Sequence, residues 1–481
     1  MMSFSYHPIG MHFMSLFGLI PIIYLCYNID KLRSLLIVGY SYGLFFYSLS
    51  FFWLIYNQGT SPLISLITFF SSVFYLSLFP MLLFFLFGII KNKDKDFSLF
   101  IFPFIWVTIE YLGSFGILGF PWFVIGNSMS PSILNIQIAE YAGVYGISFW
   151  IVLSNILLYR ILIKVSFKLI IIFLIVLFSP GVLGTFLIDR AYDRYNDIKI
   201  GLVQPNISQN KKWERSSRFY IEKKLLSLSD ELFSKGAEIV FWPESSVPMM
   251  VSSEFENTII KKVTKTLNKN RILVAGMMYS NNSRYFNSAC LIDSSGISDV
   301  YNKIKLVPIA EHVPLSTKFP SLSKLNIGAG NFSPGTEYNL FNYKRVPFGT
   351  MICYESIFPL ISANFVAKGA GFIVYLVNDG WYEKSPEPIQ HFNHSIIRAI
   401  ENRRPIVRVT NRGISGIIDE NGFVTATIDE YIDGTLLADI SPIRYETFYT
   451  KYGNLFAVIC FFVTYIAIVY FINMSKNDIK K

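Results

Sequence analysis

The stretch GTMICYES, residues 349–356, runs from small and apolar residues straight into cysteine, tyrosine and glutamate. Its first half reads as the end of a buried strand, with Cys353 at the point where the chain leaves it. Two readings of Cys353 stand open there. Free cysteine is among the most buried residue types, yet a cysteine at a strand-to-helix turn lies near helix N–H groups that favour thiolate. Similar short runs surround it: IKIGLVQ (198–204), AEIVFWPE (237–244), RILVAGMMYS (271–280), SACLID (288–293), GFIVYLVND (371–379) and PIVRVTN (405–411). Between them, residues 216–235 and 386–403 carry apolar side chains at helical spacing. Near-continuously apolar strands alternating with helices predict an α/β domain covered on at least one face.

The rest of the chain has another character. Of 481 residues, 52% are hydrophobic and only 16% charged, and the mean hydropathy is +0.42, too apolar for an ordinary soluble protein. Apolar runs near 10–27, 35–56, 63–90, 98–116, 140–159, 169–187 and 454–473 each reach the length of a membrane span. The first has no basic segment before it and no small-residue cleavage site after it, so it reads as a span and not as a removable signal. Lys31 and Arg33, then Lys91, Lys93 and Lys95, then Arg160, Lys164 and Lys168, and finally Lys476, Lys480 and Lys481 fall on one side, whereas connections 57–62 and 117–139 carry no lysine or arginine. Positive charge is retained on the cytoplasmic side. The predicted organisation is a membrane domain over 1–187 with six helices, an extracytoplasmic domain over 188–453, and a last helix with a short cytoplasmic tail over 454–481. This topology accounts for the formal charge of +9 without nucleic acid.

Three groups stand at strand ends, where side chains can enter a cleft. Glu244 follows EIVFW and Pro243, a place of low dielectric suited to a general base, or a helix-capping acid. Lys303 lies in YNKIKLVPIAEHVP beside Lys305, with Glu311 eight residues on as its partner. Taken singly, either lysine reads first as a solvated surface charge, since lysine is rarely buried unless paired. Cys353 completes a nucleophile, base and cation set that no other part of the chain offers. The four cysteines give no disulfide framework, since Cys26 and Cys460 lie inside apolar runs and Cys290 sits in a core-like strand. No metal-ligand spacing, P-loop or GxGxxG after a strand is present. His391 and His394 read as structural, with nothing acidic placed to complete a site. Glu110, inside the fourth span, is costly there and hence either functional or paired within the bundle.

WPE at 242–244, the lysine of YNKIKLVP and the cysteine of GTMICYES resemble the Glu-Lys-Cys triad of the nitrilase superfamily, whose fold is an αββα sandwich. With the membrane region, the chain resembles the apolipoprotein N-acyltransferase family through GFPWFVIGNS (119–128), LVQPNISQNKKW (202–213), LVPIAEHVP (306–314) and NDGWY (378–382). The resemblance implies Glu244 as base, Lys303 as oxyanion-stabilising cation, Cys353 as nucleophile and Glu311 as a second essential glutamate. It implies supporting or substrate-placing roles for Trp213, Tyr354 and Glu355. It places the first run at the family's second span, with the N-terminus outside, and puts Ala310 where the family has glycine. The implied reaction needs no cofactor or metal: a phospholipid sn-1 acyl chain passes through a cysteine thioester to the α-amine of a diacylated apolipoprotein, at a bacterial inner membrane with the catalytic domain on the periplasmic face. A membrane-tethered amidase or nitrilase using the same triad with water is the alternative. VPMMV (247–251) and LFNY (340–343) read either as membrane-dipping segments or as core.

Overall fold

The computed structural model describes residues 1–252, 257–313, 321 and 331–479, with side chains as far as 474. Pro314 of the LVPIAEHVP segment and the tail residues Lys480 and Lys481 lie outside the described residues. The chain divides into two compact units, one of Met1–Ile55, Ser65–Arg190 and Tyr452–Lys481, the other of Tyr56–Ile64 and Ala191–Lys451.

The first unit is helical: α1 (Ile20–Tyr27), α2 (Leu32–Ser50), α3 (Pro62–Lys91), α4 (Lys95–Leu112), α5 (Ala139–Ile163) and α6 (Phe167–Ile188), with a final helix at Leu455–Ile479. Among the described residues five helices are long and apolar enough to cross a membrane: Leu32–Ser50, Pro62–Lys91, Asn135–Ile163, Phe167–Ile188 and Leu455–Met474. The first apolar run breaks into a 3-10 turn (His12–Leu16) and the eight-residue α1, with Pro21 in the first turn of α1. Helix α4 is continuous but carries Lys95, Asp96 and Glu110. Glu110 is paired: its Oε1 accepts the Trp106 Nε1–H at 2.9 Å and the Ile125 N–H at 2.7 Å, fastening the GFPWFVIGNS segment to α4.

Helices α2 and α3 meet through Gly39 and Gly43, one turn apart on α2. A Cβ at Gly39 would lie 2.6 Å from the Pro80 carbonyl oxygen, and one at Gly43 would lie 2.7 Å from Ser77 Cα. Small residues at this spacing let helix backbones approach where apolar burial gives no drive. Gly39→Leu is therefore expected to force the helices apart and cost about 1–3 kcal/mol, read as a lower thermal midpoint in detergent; an unchanged midpoint contradicts this packing.

In the second unit β1 (Ile198–Gln204) leads to α7 (Gln209–Lys212), α8 (Arg218–Ser234), β2 (Ile239–Trp242), β3 (Met250–Ser252), α9 (Thr258–Thr264), β4 (Ile272–Asn281), β5 (Arg284–Asp293) and β6 (Gly296–Asn302). Then come β7 (Leu340–Tyr343), β8 (Val346–Ile352), α10 (Pro359–Ala367), β9 (Phe372–Val377), α11 (Glu387–Asn402), β10 (Ile406–Thr410), β11 (Ser415–Ile418), β12 (Val424–Ile428) and β13 (Gly434–Ile440). One sheet runs β13-β1-β2-β4-β5-β6 with β3 beside β4, and the other runs β12-β11-β10-β9-β8-β7. The sheets face each other through β5 on β8 and through β1 and β2 on β10. Phe241 meets Phe348 edge to face at 6.3 Å. Helices α8 and α9 cover one sheet, and α10 and α11 the other, giving the αββα sandwich. Phe341 and Tyr343 of LFNY and Val247 and Val251 of VPMMV are core residues, while Met250 is exposed.

Candidate active site

Strands β2, β6 and β8 end with Trp242, Asn302 and Ile352, and the next residues of interest are Glu244, Lys303 and Cys353. Pro243 has no N–H to continue the ladder, so the chain turns out of the sheet there. Gly276 of β4 permits the approach, since a Cβ on it would lie 2.6 Å from Glu244 Cα. Glu244 Oε1 accepts the Asn287 amide at 2.7 Å and the Lys303 ammonium at 3.4 Å. Glu311 Oε1 accepts the same two groups at 2.8 and 2.9 Å, and its Oε2 accepts the Val307 N–H at 2.8 Å. One ammonium and one amide therefore bridge two carboxylates. Burial works against the charge on Lys303, but Glu311 and Glu244 outweigh it and hold the ammonium above the ordinary lysine range. Of the two neighbouring lysines, only Lys303 enters this cluster; the Lys305 ammonium lies over the Phe358 ring at 4.8 Å.

Cys353 opens a five-residue 3-10 helix, Cys353–Ile357, with φ +49°. A left-handed backbone at a side chain other than glycine costs about 1–3 kcal/mol and is held only by its surroundings. Here the Ser356 hydroxyl donates to the Cys353 carbonyl at 2.8 Å. Glu355 fixes the other side of the turn: its carboxylate, fully buried, accepts the Tyr301 hydroxyl (2.8 Å) and the N–H groups of Ile304 (2.7 Å), Lys305 (3.1 Å) and Ile352 (2.8 Å). One carboxylate thus ties the chain after Lys303 to the chain before Cys353. The sequence expectation that helix N–H groups favour a thiolate is corrected. Burial and the Glu244 carboxylate push the Cys353 thiol well above its usual range, with Lys303 opposing. Cys353 therefore rests as a thiol, and ionising it requires a base. Alkylation of Cys353 by iodoacetamide is accordingly expected to keep rising with pH to beyond about pH 9, the ordinary thiol region; a plateau near neutrality contradicts this.

The supporting residues divide. Tyr354 is buried and packs edge-on against Phe358 at 5.1 Å. Trp213 is 40% exposed, just after α7. Ala310 has no left-handed backbone; the strained residue of that loop is Ile309, at φ +68°. Cys290 does not pair with Cys353: all four cysteines are free, and burial pushes the Cys290 thiol up to about 12.

Sequence reasoning missed Asn287, which looks like any strand residue until β5 is set between the two glutamates. It missed Lys212, whose buried ammonium donates to the Glu244 carbonyl at 3.2 Å. It also left His391 without an acid, which the structure corrects. His391 Nδ1 lies 2.8 Å from Asp379 Oδ1 and 3.5 Å from Glu387 Oε1, while Nε2 lies 2.8 Å from Ser356 Oγ and 3.3 Å from the Cys353 carbonyl oxygen. Arg408 donates to Asp379 Oδ2 at 2.9 Å, supplying positive charge that a metal ion would otherwise bring to Asp379, Glu387 and His391. The i,i+4 spacing of Glu387 and His391 was the available signal.

Residues 1–157 match the family model for the apolipoprotein N-acyltransferase N-terminal domain, and residues 199–448 match that for carbon-nitrogen hydrolases. The apolipoprotein N-acyltransferase of Geobacter metallireducens is 31% identical over 92% of this chain and 87% of its own length. That of Chlorobaculum tepidum is 29% identical over 81% of this chain and 80% of its own. Among solved structures, Saccharomyces cerevisiae Nit3, a member of branch 10 of the nitrilase superfamily, aligns at 18% identity with a TM-score of 0.41, covering 52% of this chain and 92% of that one. On the strength of the Geobacter relative and of the carbon-nitrogen hydrolase match over half its length, this membrane protein belongs to the apolipoprotein N-acyltransferase family and is an acyltransferase.

Proposed function

We propose that the chain moves the sn-1 acyl chain of a phospholipid to the α-amine of an S-diacylglyceryl-cysteine at the N-terminus of an apolipoprotein, through a thioester on Cys353. The observation that carries this reading is the cluster in which Lys303 and Asn287 hold Glu244 and Glu311, with the Glu244 and Lys303 charges both felt by the Cys353 thiol at its strained turn. Glu244 takes the thiol proton as Sγ attacks the ester carbonyl. Lys303 and backbone N–H groups stabilise the oxyanion. The glycerol oxygen leaves with the proton as lysophospholipid. The acceptor amine then attacks the thioester, Glu244 takes the amine proton, and collapse forms the amide and restores the thiol. Glu311 keeps Lys303 charged and in place throughout.

Apolar helices give this chemistry a reason, because lifting an acyl chain from the bilayer costs about 0.8 kcal/mol per exposed methylene. The basic connections favour a catalytic domain on the periplasmic face of the inner membrane. The test is purified protein in detergent with phospholipid labelled in its sn-1 chain and a diacylated peptide. Label in an amide at the peptide N-terminus supports the reading; label released only as free fatty acid supports the hydrolase alternative instead.

A further inference from the structure

Helix α7 turns two side chains inward, Gln209 and Lys212, at the i,i+3 spacing that puts residues on one helix face. Both are almost wholly buried, at 3% and 2% exposure. Among the described residues neither amide atom of Gln209 has a hydrogen-bond partner. Lys212 has three protons to donate and one acceptor, the Glu244 carbonyl oxygen at 3.2 Å. Buried amides and ammonium groups are ordinarily satisfied, so unspent donors on adjacent side chains ask for a ligand.

The position fits one. Lys212 reaches the turn that carries Glu244. Gln209 lies against the backbone of Gly380, where a Cβ would come 3.4 Å from Nε2, next to the Asp379 that holds His391 beneath Cys353. The face thus borders the reacting centre on two sides without entering the cluster around Lys303. Its chemistry is selective. Among the described residues the carboxylate that acts on Lys212 is that of Glu244, which already serves Asn287 and Lys303. The charge missing from this face is an anion. The lipidated N-terminal cysteine of the acceptor brings an amine, a thioether, two esters and peptide amides, none of them anionic, whereas a phospholipid brings a phosphodiester.

We propose that the inward face of α7 is the subsite for the acyl donor's phosphodiester, Lys212 and the Gln209 Nε2 donating to its anionic oxygens and Gln209 Oε1 accepting an N–H or O–H from the headgroup alcohol. This rests on the functional reading above and adds the residues that select the donor. Burial pushes the Lys212 ammonium down to about 8, so an anion bound there also keeps it protonated.

The experiment loads Cys353 in a single turnover, read by intact mass, from a phospholipid and from a p-nitrophenyl ester of the same acyl chain. In Lys212→Met the ratio of phospholipid to ester loading is expected to fall about 30-fold or more, as for loss of a charge-assisted bond. Gln209→Leu, which leaves the ammonium in place and serves if the first variant does not fold, is expected to lower it about tenfold, and Lys212→Arg to recover most of the loss. A ratio unchanged within about threefold in both variants overturns the proposal, three-fold being under 1 kcal/mol. So does a defect confined to transfer from the loaded enzyme to a diacylated peptide, which assigns the face to the acceptor. A soluble glycerophosphodiester is expected to compete with phospholipid loading in the parent and not in Lys212→Met; inorganic phosphate competing equally well overturns the headgroup assignment. A parent that loads from the ester but never from phospholipid sinks the functional reading. Protection of Cys353 from iodoacetamide by the diester, lost in Lys212→Met, then decides this one, and its absence overturns it.

Discussion

Cys353→Ala is expected to abolish acyl loading and transfer, a fall of about 10⁴–10⁶-fold, as for removal of other covalent nucleophiles. No other thiol can stand in. Cys290 is fully buried in β5, and Cys26 and Cys460 are buried within the helical unit. The fold should tolerate the change, because alanine keeps the Cβ and meets the same left-handed strain that Ser356 and Glu355 already hold in place. A thermal midpoint close to the parent's, with loading below detection, is the expected pair of results. Residual transfer above about one part in a hundred would move the nucleophile elsewhere.

Lys303→Met is expected to damage activity and stability together, where Cys353→Ala spares the fold. It removes the ammonium that stands 2.9 Å from Glu311 and 3.4 Å from Glu244 and leaves two carboxylates sharing one Asn287 amide. Breaking a buried charge cluster from one side costs about 3–5 kcal/mol. Two close carboxyls without a cation cannot both ionise, so one takes up a proton, and either Glu244 is lost as base or the oxyanion meets an uncompensated Glu311. Together with the lost cation this predicts at least about a 10³-fold fall in loading. The sign of the pH effect follows. In the variant a carboxyl has its folded pKa raised above the unfolded value near 4.3, so stability present at low pH is lost as pH rises through the raised value. The midpoint gap between parent and variant should narrow on acidification from about pH 8 to about pH 5. A gap that is constant or widens would mean that the carboxylates do not depend on Lys303.

The strands around the site were legible because each is a short apolar run that stops at an unlike residue: EIVFW at Pro243, TMI at Cys353. The two helices read from spacing, 216–235 and 386–403, fall at Arg218–Ser234 and Glu387–Asn402. What stayed hidden depends on distance across sheets. Asn287 is polar in a strand whose neighbours are core, and nothing local says that it faces two glutamates 43 and 24 residues away. Lys212 stands beside Trp213 in a run of charged residues, and nothing local marks it as the buried one and the tryptophan as the exposed one. His391 was left alone because Asp379 lies in a different element and Arg408 on a third. The thiol was misjudged because the turn after β8 is a short 3-10 helix with little macrodipole, and desolvation outweighs it.

Intact-mass analysis of the purified protein after incubation with phospholipid alone bears most directly on the proposed chemistry. The expected result is a gain of one acyl chain, mapped to Cys353, released by hydroxylamine and discharged onto the amine of a diacylated peptide. An enzyme that carries peptide to the acylated product without ever holding acyl on Cys353 would contradict it.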